Sequence, residues 1–159
     1  MNYEFSSPTR VMVGTRGDVG NRLFLVQVRE GRRLVIVKFE KLQLAAMAEW
    51  IGTAIKQFTR PGHLPDDFSL EPEYEVDVVA GEIGMGIDDD RERIDIDITS
   101  VDEEDSVTLS LSKEQAGGFA IAITRLVEAG RPPCPLCSLP LDPRGHDCPR
   151  TNGYRAPIR

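Results

Sequence analysis

The stretch Arg33-Leu34-Val35-Ile36-Val37-Lys38-Phe39-Glu40-Lys41-Leu42-Gln43 marks the place where the chain changes its period. Up to Phe39 the residues are β-branched and apolar, as a strand requires. Beyond Glu40, Leu44, Met47, Ala48, Ile51, Ile55 and Phe58 recur in steps of three and four. That spacing predicts an amphipathic helix from about Lys41 to Phe58, stopped by Arg60-Pro61-Gly62. The same junction returns about seventy residues later. Leu111-Ser112-Lys113-Glu114-Gln115 matches Phe39-Glu40-Lys41-Leu42-Gln43, and Ile123 and Val127 fall where Ile51 and Ile55 do.

Upstream of the first junction, Val11 to Val13 reads as a short strand and Gly14 to Asn21 as a glycine-bearing turn. Arg22 to Val28 is a second strand, and Glu30-Gly31-Arg32 a hairpin turn into the third. After a proline- and acid-rich linker, Pro61 to Pro72, the plan repeats. Tyr74 to Val79 is a strand and Ala80 to Gly86 a glycine-rich bend or irregular strand. Arg93 to Thr99 alternates apolar and acidic residues, Asp102 to Asp105 turns, and Ser106 to Leu111 is the last strand. Ser112 and Gln115 have capping-box spacing. The helix they open runs to Ala129, with Phe119, Ile123, Leu126 and Val127 inward and Gly130 at its end. The expected fold is α+β: two βββα repeats, about 1–60 and 73–130, forming one pseudo-symmetric domain with antiparallel sheets. Residues 131–159 form a separate tail.

At 159 residues the chain can bury a real core, and its 40% apolar and 28% charged content is that of an ordinary globular protein. The N-terminus lacks the apolar run of a signal peptide, and charges interrupt every apolar stretch, so neither secretion nor a membrane is expected. The net charge of −7 is unevenly spread: +5 over residues 1–65, −15 over 66–130 and +3 over 131–159. A basic face can therefore coexist with an acidic whole.

All three cysteines and one of the two histidines fall in the tail, as Cys134-x-x-Cys137 and His146-x-Cys148. Four such ligands suit a tetrahedral zinc ion and leave no open position for a substrate, which marks a structural Cys3His site. Proline is dense there and no apolar period would fold the segment unaided, so coordination would supply its folding energy. Clustered, odd-numbered thiols fit a reducing compartment, and the expected location is cytoplasmic. The plain alternative is free thiols on a loose tail. Pro133-Cys134-Pro135-Leu136-Cys137 resembles half of a zinc-deaminase signature, but the H-x-E half is missing, since His63 is followed by Leu64 and Pro65. A redox C-x-x-C would open a helix after a strand; this pair follows a helix and a double proline.

The remaining candidates are binding residues. Gly14-x-x-Gly17-x-x-Gly20 with Arg16 and Arg22 has the glycines of a phosphate cradle, but a hairpin turn explains them as well. Asp88-Asp89-Asp90, Glu92, Asp95 and Asp97 lack calcium-loop order and read as a solvated face. Arg16, Arg22, Arg29, Arg32, Arg33 and Lys38 form the basic surface of the first half, and Leu23 to Phe39 is weakly similar to a PUR repeat, which binds single-stranded nucleic acid. Aromatic residues for stacking are scarce, at 6% of the chain, so nucleic acid or a phosphate ligand is the less favoured reading. In the tail, Arg150, Asn152, Tyr154 and Arg155 make a polar, basic segment that zinc would hold in place. No catalytic set can be assembled, because the only histidines are His63 and His146.

Several stretches together resemble a known family: Val13-Gly14-Thr15, Leu34 to Gln43, and Gly130 to Cys137 with Leu141 to Arg155. The resemblance is to an uncharacterised actinobacterial family, described as a domain of unknown function or a conserved repeat protein, and it covers nearly the whole chain. It implies no activity. The family's genes lie beside those for a histidine-phosphatase-like and a lipid-kinase-like protein, which implies such partners. Its tail ligands carry over onto Cys134, Cys137, His146 and Cys148. The resulting expectation is a non-enzymatic binding or adaptor protein with a structural zinc clip.

Overall fold

The structure is a computed structural model that describes residues 1–18 and 21–129, together with the backbone of His146–Asp147 and Arg155–Ala156. Its strands are β1 (Asn2–Phe5), β2 (Arg10–Arg16), β3 (Leu23–Glu30), β4 (Arg33–Phe39), β5 (Val78–Asp88), β6 (Arg93–Ser100) and β7 (Ser106–Ser112). Helix α1 (Lys41–Ala54) follows β4 and ends in a 3-10 turn, Ile55–Gln57; α2 (Lys113–Glu128) follows β7. The order along the chain after β1 is therefore three strands and a helix, then three strands and a helix. In the tail, β8 (His146–Asp147) pairs antiparallel with β9 (Arg155–Ala156).

Two features depart from the expected antiparallel sheets. All seven strands of the body join one mixed sheet in the order β1-β7-β6-β5-β4-β3-β2. Within it, β1 runs parallel to β7, and β4 runs parallel to β5 through Val37–Val78 and Lys38–Val79. The N-terminal strand β1 has only four residues, too short for its alternation to announce it. Of the two readings of the glycine-rich stretch after Val79, bend or irregular strand, the structure shows the strand. It continues as the second part of β5, antiparallel to β6, with a bulge between Ala80 and Glu82.

The core forms between the buried stripe of each helix and the inward residues of the strands. Leu44, Met47, Ala48 and Ile51 come from α1, and Phe119, Ala120 and Ile123 from α2. They meet Val26, Val37, Phe39, Ile94, Ile96, Ile98, Leu109 and Leu111, all buried. Ser112 Oγ accepts from the Gln115 N–H at 3.1 Å, and Gln115 Oε1 accepts from the Ser112 N–H at 3.2 Å, closing the expected capping box. Helix α1 opens in the same manner, with Gln43 Oε1 accepting from the Glu40 N–H at 2.7 Å. Each glutamine also donates across to an incoming strand, Gln115 to the Pro8 carbonyl and Gln43 to those of Ala80 and Gly81.

Leu25 and Gln27 point to the opposite sheet face from Val26 and Val28, yet they are equally buried. The linker between the helix end and β5 covers them. Phe68 O accepts from the Val13 N–H on the outer edge of β2, Leu70 packs on Gly14, and Arg29 clamps Glu71 at 2.7 Å. That guanidinium holds the Glu71 carboxyl below its usual range. The linker thus closes a sheet edge that would otherwise offer unpaired amides.

A second tie joins three separate elements. Glu92, at φ +53° in the β5–β6 turn, accepts from Lys113 Nζ at 2.6 Å and from the amide and hydroxyl of Thr59. Chiefly through the Lys113 hydrogen bond, its pKa falls from 4.5 to about 2. A depressed carboxylate stabilises the fold above its unfolded value and loses that contribution as pH falls through the folded one. Acidification from pH 4.5 towards pH 2 is therefore expected to lower the melting temperature of the protein more than that of Glu92→Gln, as measured by thermal melts at matched pH values. An equal loss in both would show that the tie contributes nothing.

Candidate functional site

The sharpest surface feature lies between α1 and the bulged part of β5. A groove with a cavity of about 410 Å³ is lined by Gln43, Ala46, Met47 and Trp50 from the helix and by Gly81, Ile83 and Met85 from the strand. Its formation follows from the helix. Leu42, Ala46 and Trp50 are spaced i, i+4, i+8, so they form one stripe beside the buried face. Among the described residues no strand covers that stripe: Leu42 is 83% exposed, Ala46 is exposed and Trp50 is half-buried. On the strand side, Ile83 and Met85 pair with Ile98 and Ile96, which turns them to the inner face. The β-bulge lets β5 leave β4 after Val79, and this opens space below the helix.

The chemistry of this groove is apolar. Gln43 is the sole polar side chain among the lining residues, and its amide is fully engaged by the Glu40 N–H and the Ala80 and Gly81 carbonyls. Glu49 and Glu82 flank the lining residues and are exposed. These residues carried no sequence motif. The visible signal was the exposed Leu42-Ala46-Trp50 stripe, which makes α1 apolar on more of its circumference than a single core face needs.

The basic residues singled out from the sequence do not form one patch. Arg16 and Arg22 stand at one end of the β2–β3 hairpin, and Arg32 and Arg33 at the far end of β3. Eight residues of strand separate them, about 25 Å. Arg16 donates to the Glu71 carbonyl at 2.7 Å. Arg33 pairs with Glu30 at 2.7 Å and lies 4.7 Å over the Phe5 ring. Arg22 and Arg32 are exposed. In the glycine turn, Gly17 has φ +103° and an added Cβ would meet the Asn21 carbonyl at 2.7 Å, so turn geometry accounts for it. Gly14 sits beneath Leu70, and Gly20 lies outside the described residues.

Among the acidic residues, Glu92 is held by Lys113, Asp88 accepts from the Arg91 amide, and Asp97 faces solvent. No group of three or more His, Cys, Asp or Glu among the described residues has the arrangement to hold a metal ion. Cys134, Cys137, Cys148, Arg150, Asn152 and Tyr154 lie outside the described residues. Of His146 and Arg155 only the backbone is described, in β8 and β9. No helix among the described residues is long and apolar enough to cross a membrane.

Fold and groove define an α+β protein with a mixed seven-stranded sheet, two helices and an apolar furrow along one of them. Residues 3–148 match the family described as protein of unknown function (DUF3090), and the chain belongs to that family. No curated protein and no solved structure matches it.

Proposed function

We propose that this is a non-catalytic binding protein that presents the α1–β5 groove to a partner and carries a structural Cys3His zinc clip in its tail. The observation that carries the binding role is the unfilled groove of about 410 Å³ beneath a solvent-facing Leu42-Ala46-Trp50 stripe. Catalysis needs convergent polar groups free to act, and the one polar lining side chain, Gln43, is already bonded on both ends. The furrow is expected to bind the apolar dye ANS in the folded state. Ala46→Arg, a change on the exposed helix surface, should remove most of that fluorescence while leaving the melting temperature unchanged. Equal dye binding by both chains would overturn the assignment.

The body reads as a duplication. Its support is a step of 72 residues: Phe39 ends β4 and Leu111 stands one residue before the end of β7, and Gln43 and Gln115 cap the helices. The paired columns Val13–Val26–Val37 and Met85–Ile96–Leu109 stand at corresponding places in the sheet, the outer members 72 residues apart and the middle ones 70. Each Gln donates to the carbonyl where its incoming strand bends.

For the tail, the donor set Cys134, Cys137, His146 and Cys148 is that of a closed zinc site, suited to a reducing cytoplasm. Untagged protein is expected to contain one zinc per chain by elemental analysis, and Cys137→Ser to lose it. A metal-free chain whose tail is protected from protease would refute the clip. The partners implied by the family resemblance, a histidine-phosphatase-like and a lipid-kinase-like protein, are candidates to occupy the groove.

A further inference from the structure

The 72-residue step that relates the two halves also pairs two grooves, one filled and one open. In the filled one, the linker lies across α2 and along β2. The Phe68 ring and the Pro65 carbonyl sit where a Cβ on Gly118 would come within 2.6–2.9 Å. Phe68 stacks tilted on Phe119, at 6.2 Å between ring centres, and its carbonyl takes the Val13 N–H at 3.0 Å. Leu70 closes over Gly14.

The same step carries Gly118 to Ala46, Phe119 to Met47, Val13 to Met85 and Gly14 to Gly86. Ala46, Met47 and Met85 are lining residues of the open groove, and a Cβ on Gly86 would meet nothing within 4 Å. Met85 pairs with Ile96 as Val13 pairs with Val26, so its N–H points to the free edge of β5, as that of Val13 points to the linker. Among the described residues, nothing supplies to the second half what the linker supplies to the first.

Charge then specifies the occupant. Where the filled strand carries Arg10 and Arg16, the open strand carries Glu82 and Asp88. Arg10 faces Asp67 of the linker at 3.8 Å, and Arg16 holds the Glu71 carbonyl. On the outer face, Gln27 grips the linker backbone, and the residue at its register position in β6 is the exposed Asp97. An acidic linker meets arginines in one groove, so a basic segment is the complement of the other.

We infer that the α1–β5 groove takes an extended, Lys/Arg-bearing peptide of a partner protein. The peptide adds as a strand to the free edge of β5 and seats an aromatic or large apolar side chain between Met47, Trp50 and Met85. This rests on the groove being the binding surface and on the duplication; it specifies the ligand.

Trp50 is the one tryptophan of the chain, so its emission reports on the groove directly. Two synthetic peptides serve as probes: the linker sequence Gly62 to Glu71 with lysine at each acidic position, and the same sequence unchanged. The full chain is expected to shift Trp50 emission to the blue with the lysine peptide and to bind it at least about tenfold more tightly than the acidic one. The double variant Glu82→Lys, Asp88→Lys should reverse that order. Equal binding of both peptides would overturn the charge assignment while leaving the groove as a binding surface. A response to neither peptide, in a chain that still binds ANS at Ala46, would overturn peptide binding. Trp50 emission that shifts with protein concentration alone, alongside dimers in sedimentation, would make the occupant a second copy and overturn the inference.

Discussion

Phe68→Ala is expected to destabilise the protein by about 3–5 kcal/mol, the range for emptying a buried aromatic site. Phe68 is 8% exposed although it belongs to a segment with neither helix nor strand. Its ring rests on Phe119 and against Gly118, where an added Cβ would meet the Pro65 carbonyl and the Phe68 ring at 2.6–2.9 Å. A single backbone hydrogen bond ties this residue to the sheet, so the ring supplies most of what holds the neighbouring linker residues. Phe68→Leu keeps part of the volume and should cost clearly less than the alanine. Urea unfolding of the two variants measures both. A loss below about 1 kcal/mol for the alanine, the level of a surface substitution, would mean that the linker merely lies on the body.

The linker is also where the sequence was least legible. Its prolines, acids and lack of period read as a connection, because periodicity reports regular elements and cannot report a segment buried by its partners. Neither Phe68 nor Gly118 carries a sequence signal of its own; each explains the other only in three dimensions. The second strand triplet was legible at β6 and β7, where Ile94, Ile96 and Ile98 alternate cleanly with acids. At β5 it was legible only as a bend or irregular strand, since Gly81, Gly84 and Gly86 leave positions without side chains and disguise a strand of eleven residues. The parallel pairings were hidden for a different reason. Each joins strands separated by a helix and linker or by the whole body, and nothing local encodes such a partner.

The candidate groove shows the same division. The Gln115 cap stood out at capping-box spacing and formed; the matching Gln43 cap was found only in the structure. Their second role, donating to the carbonyls of an incoming strand, depends on sheet order and left no trace in spacing. Arginine content pointed to a basic surface in the first half. In the fold, Arg10, Arg16 and Arg29 turn to the acidic linker, so the uneven charge of the chain serves internal docking. Among the described residues, the acids of the second half have no comparable internal partner along Glu82 and Asp97, both exposed.

Gln27→Leu is the companion test of linker docking, with an expected cost of about 2–4 kcal/mol from three hydrogen bonds lost to partly buried partners. Gln27 is fully buried; its amide donates to the carbonyls of Glu71 and Glu73 at 3.2 and 2.7 Å, and its oxygen accepts from the Glu71 N–H at 2.6 Å. Leucine matches the volume and offers none of these bonds. The loss has a ceiling, because the linker can release its orphaned groups to water by lifting off β2. Once it has lifted, Phe68 loses its seat as well, so the two substitutions draw on one docking energy. The double variant is therefore expected to cost less than the sum of the singles, with a coupling of about 0.5–3 kcal/mol. Full additivity would mean that the Phe68 anchor and the Gln27 clasp hold the linker independently. Limited proteolysis gives the second reading: cleavage between Thr59 and Asp77 should accelerate in either single variant and gain little more in the double.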